Sequence, residues 1–171
     1  MNRMKIAVLI GAAFALGACT NAGRFDDTGG FGADGAGGTG FDVGSAQDPN
    51  SPAYFSQTIG DRVLFSVDQS SLTPEAQTVL AGQAAWLANN PEFSAVIEGH
   101  ADEQGTREYN LALGARRANA VQEYLVSQGV AGTRLRTLTY GKERPLEICS
   151  EESCYAKNRR AVTILAAGGT S

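Results

Sequence analysis

The residues best suited to chemistry lie in one stretch, Gly99 to Val121. The segment Gly99-His100-Ala101-Asp102-Glu103-Gln104-Gly105 carries a histidine and two acids, and the residues after it repeat with helical period. At about 100° per residue, Asn110, Leu113, Arg117, Val121 and Tyr124 share one face. An amide and a guanidinium therefore fall where that helix must bury itself. An unpaired buried arginine is costly, so Arg117 must meet an anion. Asp102, in the loop that leads into the helix, is the obvious internal partner. The other possibility is the acid group of a ligand held where the helix starts, and the residue types leave both open.

Other chemistries find little support. His100 is the only histidine, and one imidazole with the loop acids Asp102 and Glu103 makes no tetrahedral metal site. A structural or loop-bracing role is expected for it, with no bound metal. No Ser/His/Asp set and no zinc-ligand spacing is visible, so the expectation is a binding protein and not an enzyme, with no cofactor. The Arg159-Arg160 pair is read as a solvated strand edge, the alternative being a basic rim for a polymer.

These residues need a scaffold, and the pattern supplies one. Arg62 to Val67 reads as a strand. Thr73 caps a helix that has Pro74 at its first position, with Ala76, Val79, Leu80, Gln83 and Leu87 as its stripe and Asn89-Asn90-Pro91 as its stop. Trp86 is read as core. Ser94 to Glu98 is a second strand, and the helix bearing Arg117 runs from about Arg107 to Ser127, ended by Gly129. Leu135 to Tyr140 and Ala161 to Leu165 complete four strands. The fold class that follows is α+β: a two-layer sandwich, βαβαββ, with helices on one face of a four-stranded mixed sheet. Each β-α-β crossover is expected to make parallel neighbours.

The N-terminal third reads differently. Met1 to Lys5 is short and basic, and Ile6 to Leu16 is apolar but too short to span a bilayer of about 30 Å. Leu16-Gly17-Ala18-Cys19 is similar to a bacterial lipobox, which makes residues 1–18 a signal peptide and Cys19 the lipidated residue and membrane anchor. Two or three acyl chains hold firmly at about 0.8 kcal/mol per buried CH₂. Thr20, in place of Asp, follows the cysteine, as in lipoproteins sent to the outer membrane. From Thr20 to about Pro52 glycine is dense and no apolar face repeats, so residues 19–53 are expected to be the lipidated cysteine and a flexible tether, with 54–168 as the folded domain. The isolated Phe25, Phe31 and Phe41 receive no function. Loss of Arg3 and Lys5 with the signal would move the net charge from −4 to −6, which gives no general field for nucleic acid. For an exported chain, Cys149 and Cys154 are expected to form a small-loop disulfide; the alternative is two free thiols.

Several of these stretches also carry a resemblance. Gly99 to Thr106, Glu108-Tyr109-Asn110, Leu113-Gly114, Arg116 to Val121, Tyr140 to Pro145 and Lys157 to Val162 closely resemble the OmpA-like C-terminal domain family, over about Val63 to Leu165. The lipobox and acidic linker agree with its lipid-anchored branch rather than with its barrel-borne or motor-associated members. The resemblance implies non-covalent binding of peptidoglycan through diaminopimelate in the stem peptide. By it, Asp102 pairs with the ligand ammonium, Arg117 forks onto its carboxylate, Asn110 braces the loop and Leu113 is an apolar wall. Phe65 and Ser66 would line the pocket mostly through backbone; related lipoproteins often carry an acid where this chain has Ser66. It further implies partners in the Tol system, the periplasmic propeller protein TolB and the inner-membrane protein TolA. The location it implies is a lipid-anchored domain facing the periplasm from the outer membrane, with a part in cell division. A purely structural surface lipoprotein would differ in using Asp102 and Arg117 for stability alone.

Overall fold

The computed structural model describes residues 44–167. The signal segment, Cys19 and the tether as far as Val43 lie outside the described residues. The elements in chain order are α1 (Pro52–Tyr54), which continues as a π-helical turn (Phe55–Gly60), then β1 (Arg62–Leu64), α2 (Pro74–Asn89), β2 (Phe93–His100), α3 (Arg107–Ser127), β3 (Leu135–Gly141), α4 (Glu152–Asn158) and β4 (Arg160–Ala167). None of the described helices is long and apolar enough to cross a membrane.

The cap reading holds for α2: Thr73 accepts from the Ala76 amide, and Pro74 occupies the first turn, where a missing N–H costs nothing. Thr106 caps α3 in the same way through the Tyr109 amide. At the other end of α2, the Arg134 guanidinium accepts the duty of a C-cap, donating to the carbonyls of Leu87 and Asn90 at 2.9 Å each as well as to Phe93. Groups that a helix end leaves without partners are thus satisfied from a distant side chain.

The sheet is mixed, in the order β1-β4-β2-β3. β2 and β3 are parallel neighbours joined by α3, as the crossover rule predicts. β1 and β2 are not neighbours, which corrects the expectation for the first crossover: β4, the last strand, lies between them and is antiparallel to both. The reason is that β1 has only three residues, whereas β4 can pair with β2 along seven positions, Phe93↔Ala167 to Gly99↔Ala161. The connection from β3 to β4 also holds a helix, α4.

Between sheet and helices lies a core of Val63, Phe65, Leu80, Leu87, Ile97, Val121, Leu125 and Leu135, with Trp86 packed tilted between Phe55 and Phe93. Trp86 is core, as read, and its indole N–H donates to the Pro49 carbonyl at 2.7 Å. Ser51 is buried and caps α1. Pro49 and Ser51, read as tether, are therefore tied to the domain. Gln83 lies on the buried stripe of α2 because both ends of its amide are used: it donates to the Gly60 carbonyl at 2.7 Å and accepts from the Thr163 hydroxyl at 2.8 Å.

One contact fixes where α3 sits. Gly99 of β2 and Gly114 of α3 meet backbone to backbone, so closely that a Cβ on Gly99 would overlap the Gly114 carbonyl. Thr139 of β3 donates to the Leu111 carbonyl at 3.0 Å, closing the same seam. This close approach lowers the N-terminal half of α3 onto the C-terminal ends of β2 and β3, where the charged residues gather.

Candidate functional site

Arg117 is fully buried. Its Nε donates to the Gln69 carbonyl at 2.8 Å, Nη1 to the His100 carbonyl at 2.8 Å and Nη2 to the Ser66 carbonyl at 3.1 Å. Its guanidinium also lies 5.2 Å from the centre of the Phe65 ring, a favourable face for a cation. Three of the five N–H groups are thus spent on backbone, and valence leaves one on each terminal nitrogen. Burial pulls the Arg117 pKa down to about 10, with the charge of Asp102 working against that pull. At neutral pH the group remains a cation.

The expected internal pair is not the one formed. Asp102 gives its carboxylate to Arg159, Oδ2 to Nη1 at 3.1 Å with both side chains buried, while Oδ1 accepts from the Gln104 amide at 3.3 Å. Arg159 also grips Glu152, in contact with Nη2 and at 3.4 Å from Nη1, and its Nε donates to the Phe65 carbonyl at 3.2 Å. Burial alone would lower the Arg159 pKa, but its bonds to Glu152 and Asp102 outweigh that and raise it. Arg159 and Arg160 are 5% and 7% exposed, so neither is a solvated strand edge or a basic rim. The reading fails because β4 is an inner strand: Phe65 pairs backbone with Arg159, and Arg160 is registered against Leu64. Arg159 is the site residue that sequence reasoning missed. Its signal is burial beside an inner strand, which demands a carboxylate partner.

The remaining candidates fall around this pair. Asn110, 1% exposed, donates to the Gln104 carbonyl at 2.7 Å and so braces the loop between β2 and α3. Lys142 donates to Gly105 at 2.7 Å and Glu103 at 3.3 Å, a second brace not foreseen. Leu113 is buried on the same face of α3. Phe65 contributes its ring as well as its carbonyl, and Ser66 contributes its carbonyl and leaves its side chain exposed. The turn after Ser66 carries Asp68 at φ 55, a left-handed backbone for a residue other than glycine. The structure thus brings Asp102, Arg117, Asn110, Phe65 and Ser66 together, with Arg159 and Glu152 added, and places Leu113 on the buried face of α3. Cys149 and Cys154 are joined by a disulfide, Cα to Cα 5.9 Å, and Cys19 lies outside the described residues.

His100 is 2% exposed and neither ring nitrogen has a hydrogen-bond partner. Its ring stacks on Tyr140 at 5.6 Å, and Glu98 is the nearest acid at 3.8 Å. Burial, helped by the charges of Arg160 and Arg144, drives its pKa down to about 4. The ring is therefore neutral at pH 7, and its backbone carbonyl serves the site by holding Arg117. Among the described residues no cluster of three or more His, Cys, Asp or Glu side chains could hold a metal.

The chain is similar to known proteins. Residues 64–159 match the OmpA family. A peptidoglycan-associated lipoprotein of Mesorhizobium japonicum is 46% identical over 170 residues, 99% of this chain and 96% of its own. One from Rhizobium meliloti is 53% identical over 135 residues, 79% of this chain and 76% of its own. The crystal structure of the peptidoglycan-associated lipoprotein from Burkholderia pseudomallei superposes with a TM-score of 0.63 at 37% identity, covering 70% of this chain and 98% of that one.

Proposed function

Because the chain belongs to the OmpA family, with peptidoglycan-associated lipoproteins as relatives along nearly its whole length, we propose that it is an envelope lipoprotein, a binding protein and not an enzyme, that grips peptidoglycan non-covalently. The ligand is the diaminopimelate of the stem peptide, a zwitterion with a carboxylate and an ammonium. The observation that carries this reading is the convergence of an acid and two cations beneath two loops, Ser66–Gln69 and Asp102–Gly105. Each Asp102 oxygen has one protein partner and keeps acceptor capacity for an ammonium. The two terminal N–H groups that Arg117 has left form the fork a carboxylate fits. Asn110 keeps the opposite loop fixed, Leu113 and Phe65 supply the apolar floor, and Ser66 acts through its backbone.

Lipidation at Cys19 would hold the domain to the outer membrane on a tether, and so join membrane to wall. By resemblance, the same domain engages TolB and TolA of the Tol system and serves envelope constriction in division. The full chain in detergent should pellet with purified diaminopimelate-type sacculi. An Asp102→Asn variant whose circular dichroism matches the parent should stay in the supernatant, because losing one partner of a desolvated charge contact costs about 2–5 kcal/mol. A parent that fails to pellet, or a folded variant that pellets equally, rejects the reading and leaves these residues with an architectural role.

A further inference from the structure

Arg159 is one guanidinium shared between two carboxylates, and the sharing is unequal. Asp102 touches only Nη1, while Glu152 reaches both terminal nitrogens. Glu152 is the outer of the two, with its side chain 65% exposed against 10% for Asp102. It also lies within the ring that the Cys149–Cys154 disulfide closes. Ser150 of that ring donates to the Glu103 carboxylate at 3.3 Å, so the ring rests on the same loop that carries Asp102. At the base of the ring, Asn158 accepts from the amides of Leu146 and Glu147 at 2.7 and 3.1 Å and fixes where the connection leaves β3.

An arginine facing a single carboxylate closes on it with two parallel N–H bonds. Asp102, so clasped, would present a neutralised pair to an incoming ammonium. Glu152 prevents this by occupying the fork first. The local charge then balances as Arg117 and Arg159 against Asp102 and Glu152, and Asp102 keeps an unclaimed acceptor site on each oxygen. Resting on the wall-binding reading above, we infer that Glu152, held by the disulfide ring, is a positioning residue for ammonium recognition: it draws the Arg159 guanidinium outward so that Asp102 stays available to the ligand.

The test uses the full chain in detergent, titrated with a soluble diaminopimelate muropeptide and with the same muropeptide acetylated on its free side-chain amine. The parent should prefer the free amine. Glu152→Gln should weaken free-amine binding by about threefold to fivefold, the scale of one partly exposed ion pair, and leave the acetylated ligand unaffected. Glu152→Asp should recover part of the preference, and replacing both Cys149 and Cys154 by serine should reduce it in the same direction. Equal loss for both ligands would mean that Glu152 only supports the fold, and an unchanged preference would mean that it does nothing for the amine; either overturns the inference while leaving wall binding intact. A parent that binds neither ligand overturns the wall-binding reading itself, and Glu152 with it.

Discussion

At the scale of single residues, Arg117 is decided by its geometry more than by its charge. Three carbonyls, two from the β1–α2 loop and one from the end of β2, converge on one planar group, and only a guanidinium has donors aimed that way. Arg117→Lys keeps the charge but concentrates its donors at one point, which strands at least one carbonyl at roughly 1–3 kcal/mol. Urea unfolding should show a lower midpoint for this variant with an unchanged slope. His100 makes a second prediction. A histidine whose folded pKa lies near 4, below its ordinary value of 6.5, is held neutral by the fold. Its contribution is complete above about pH 6.5 and is lost as pH falls toward 4, by up to about 3 kcal/mol. Stability measured from pH 7 to 4 should fall more steeply in the parent than in His100→Gln, and the difference between the two removes the carboxylates that titrate in both. Asn110 and Arg117 were legible as anomalies because polar groups on a helix's apolar face demand partners. Which partners they take was not, since Ser66, Gln69 and His100 offer only backbone to Arg117, and backbone acceptors leave no mark in side-chain identity.

Among the elements, the seam between α3 and the ends of β2 and β3 carries the site. Gly114→Ala places a methyl against the Gly99 carbonyl at 2.9 Å and against Thr139 Oγ1 still closer. Overpacking of this kind costs about 1–3 kcal/mol, and because it lifts the helix that bears Asn110 and Arg117, sacculus binding should fall along with the melting temperature. The start of α2 was readable because its cap is local, Thr73 with Pro74, and the end of α3 because Gly129 follows it. The helix α4 was not, because its seven residues have no repeating apolar stripe and are held by Asn158 and the disulfide instead. The place of β4 was equally hidden. Hydrophobic period gives a strand its faces, not its neighbours, and a crossover that skips one strand leaves the same pattern as one that does not.

For the molecule as a whole, the class of fold followed from sequence, while the N-terminal limit of the packed part did not. Pro49 and Ser51 come from a glycine-rich, polar stretch, yet Trp86 spends its N–H on the first and α1 depends on the second. A chain begun at residue 54 should therefore melt below the full chain, by roughly 1–3 kcal/mol for a buried indole N–H left without its acceptor. Differential scanning calorimetry of the two would measure the difference.

The placing of β4 between β1 and β2 has a consequence in time. Phe65 stands just beyond the first strand and Arg159 just before the last, and the hydrogen bond between them spans 94 residues of chain. A polypeptide still emerging from a ribosome or a translocation pore holds Phe65, Asp102 and Arg117 early, but lacks the guanidinium that anchors Asp102 and the strand that secures β1. The enclosure therefore assembles last, after nearly every other part has been delivered. In an incomplete molecule neither the Asp102–Arg159 pair nor the β1–β4 pairing can yet form.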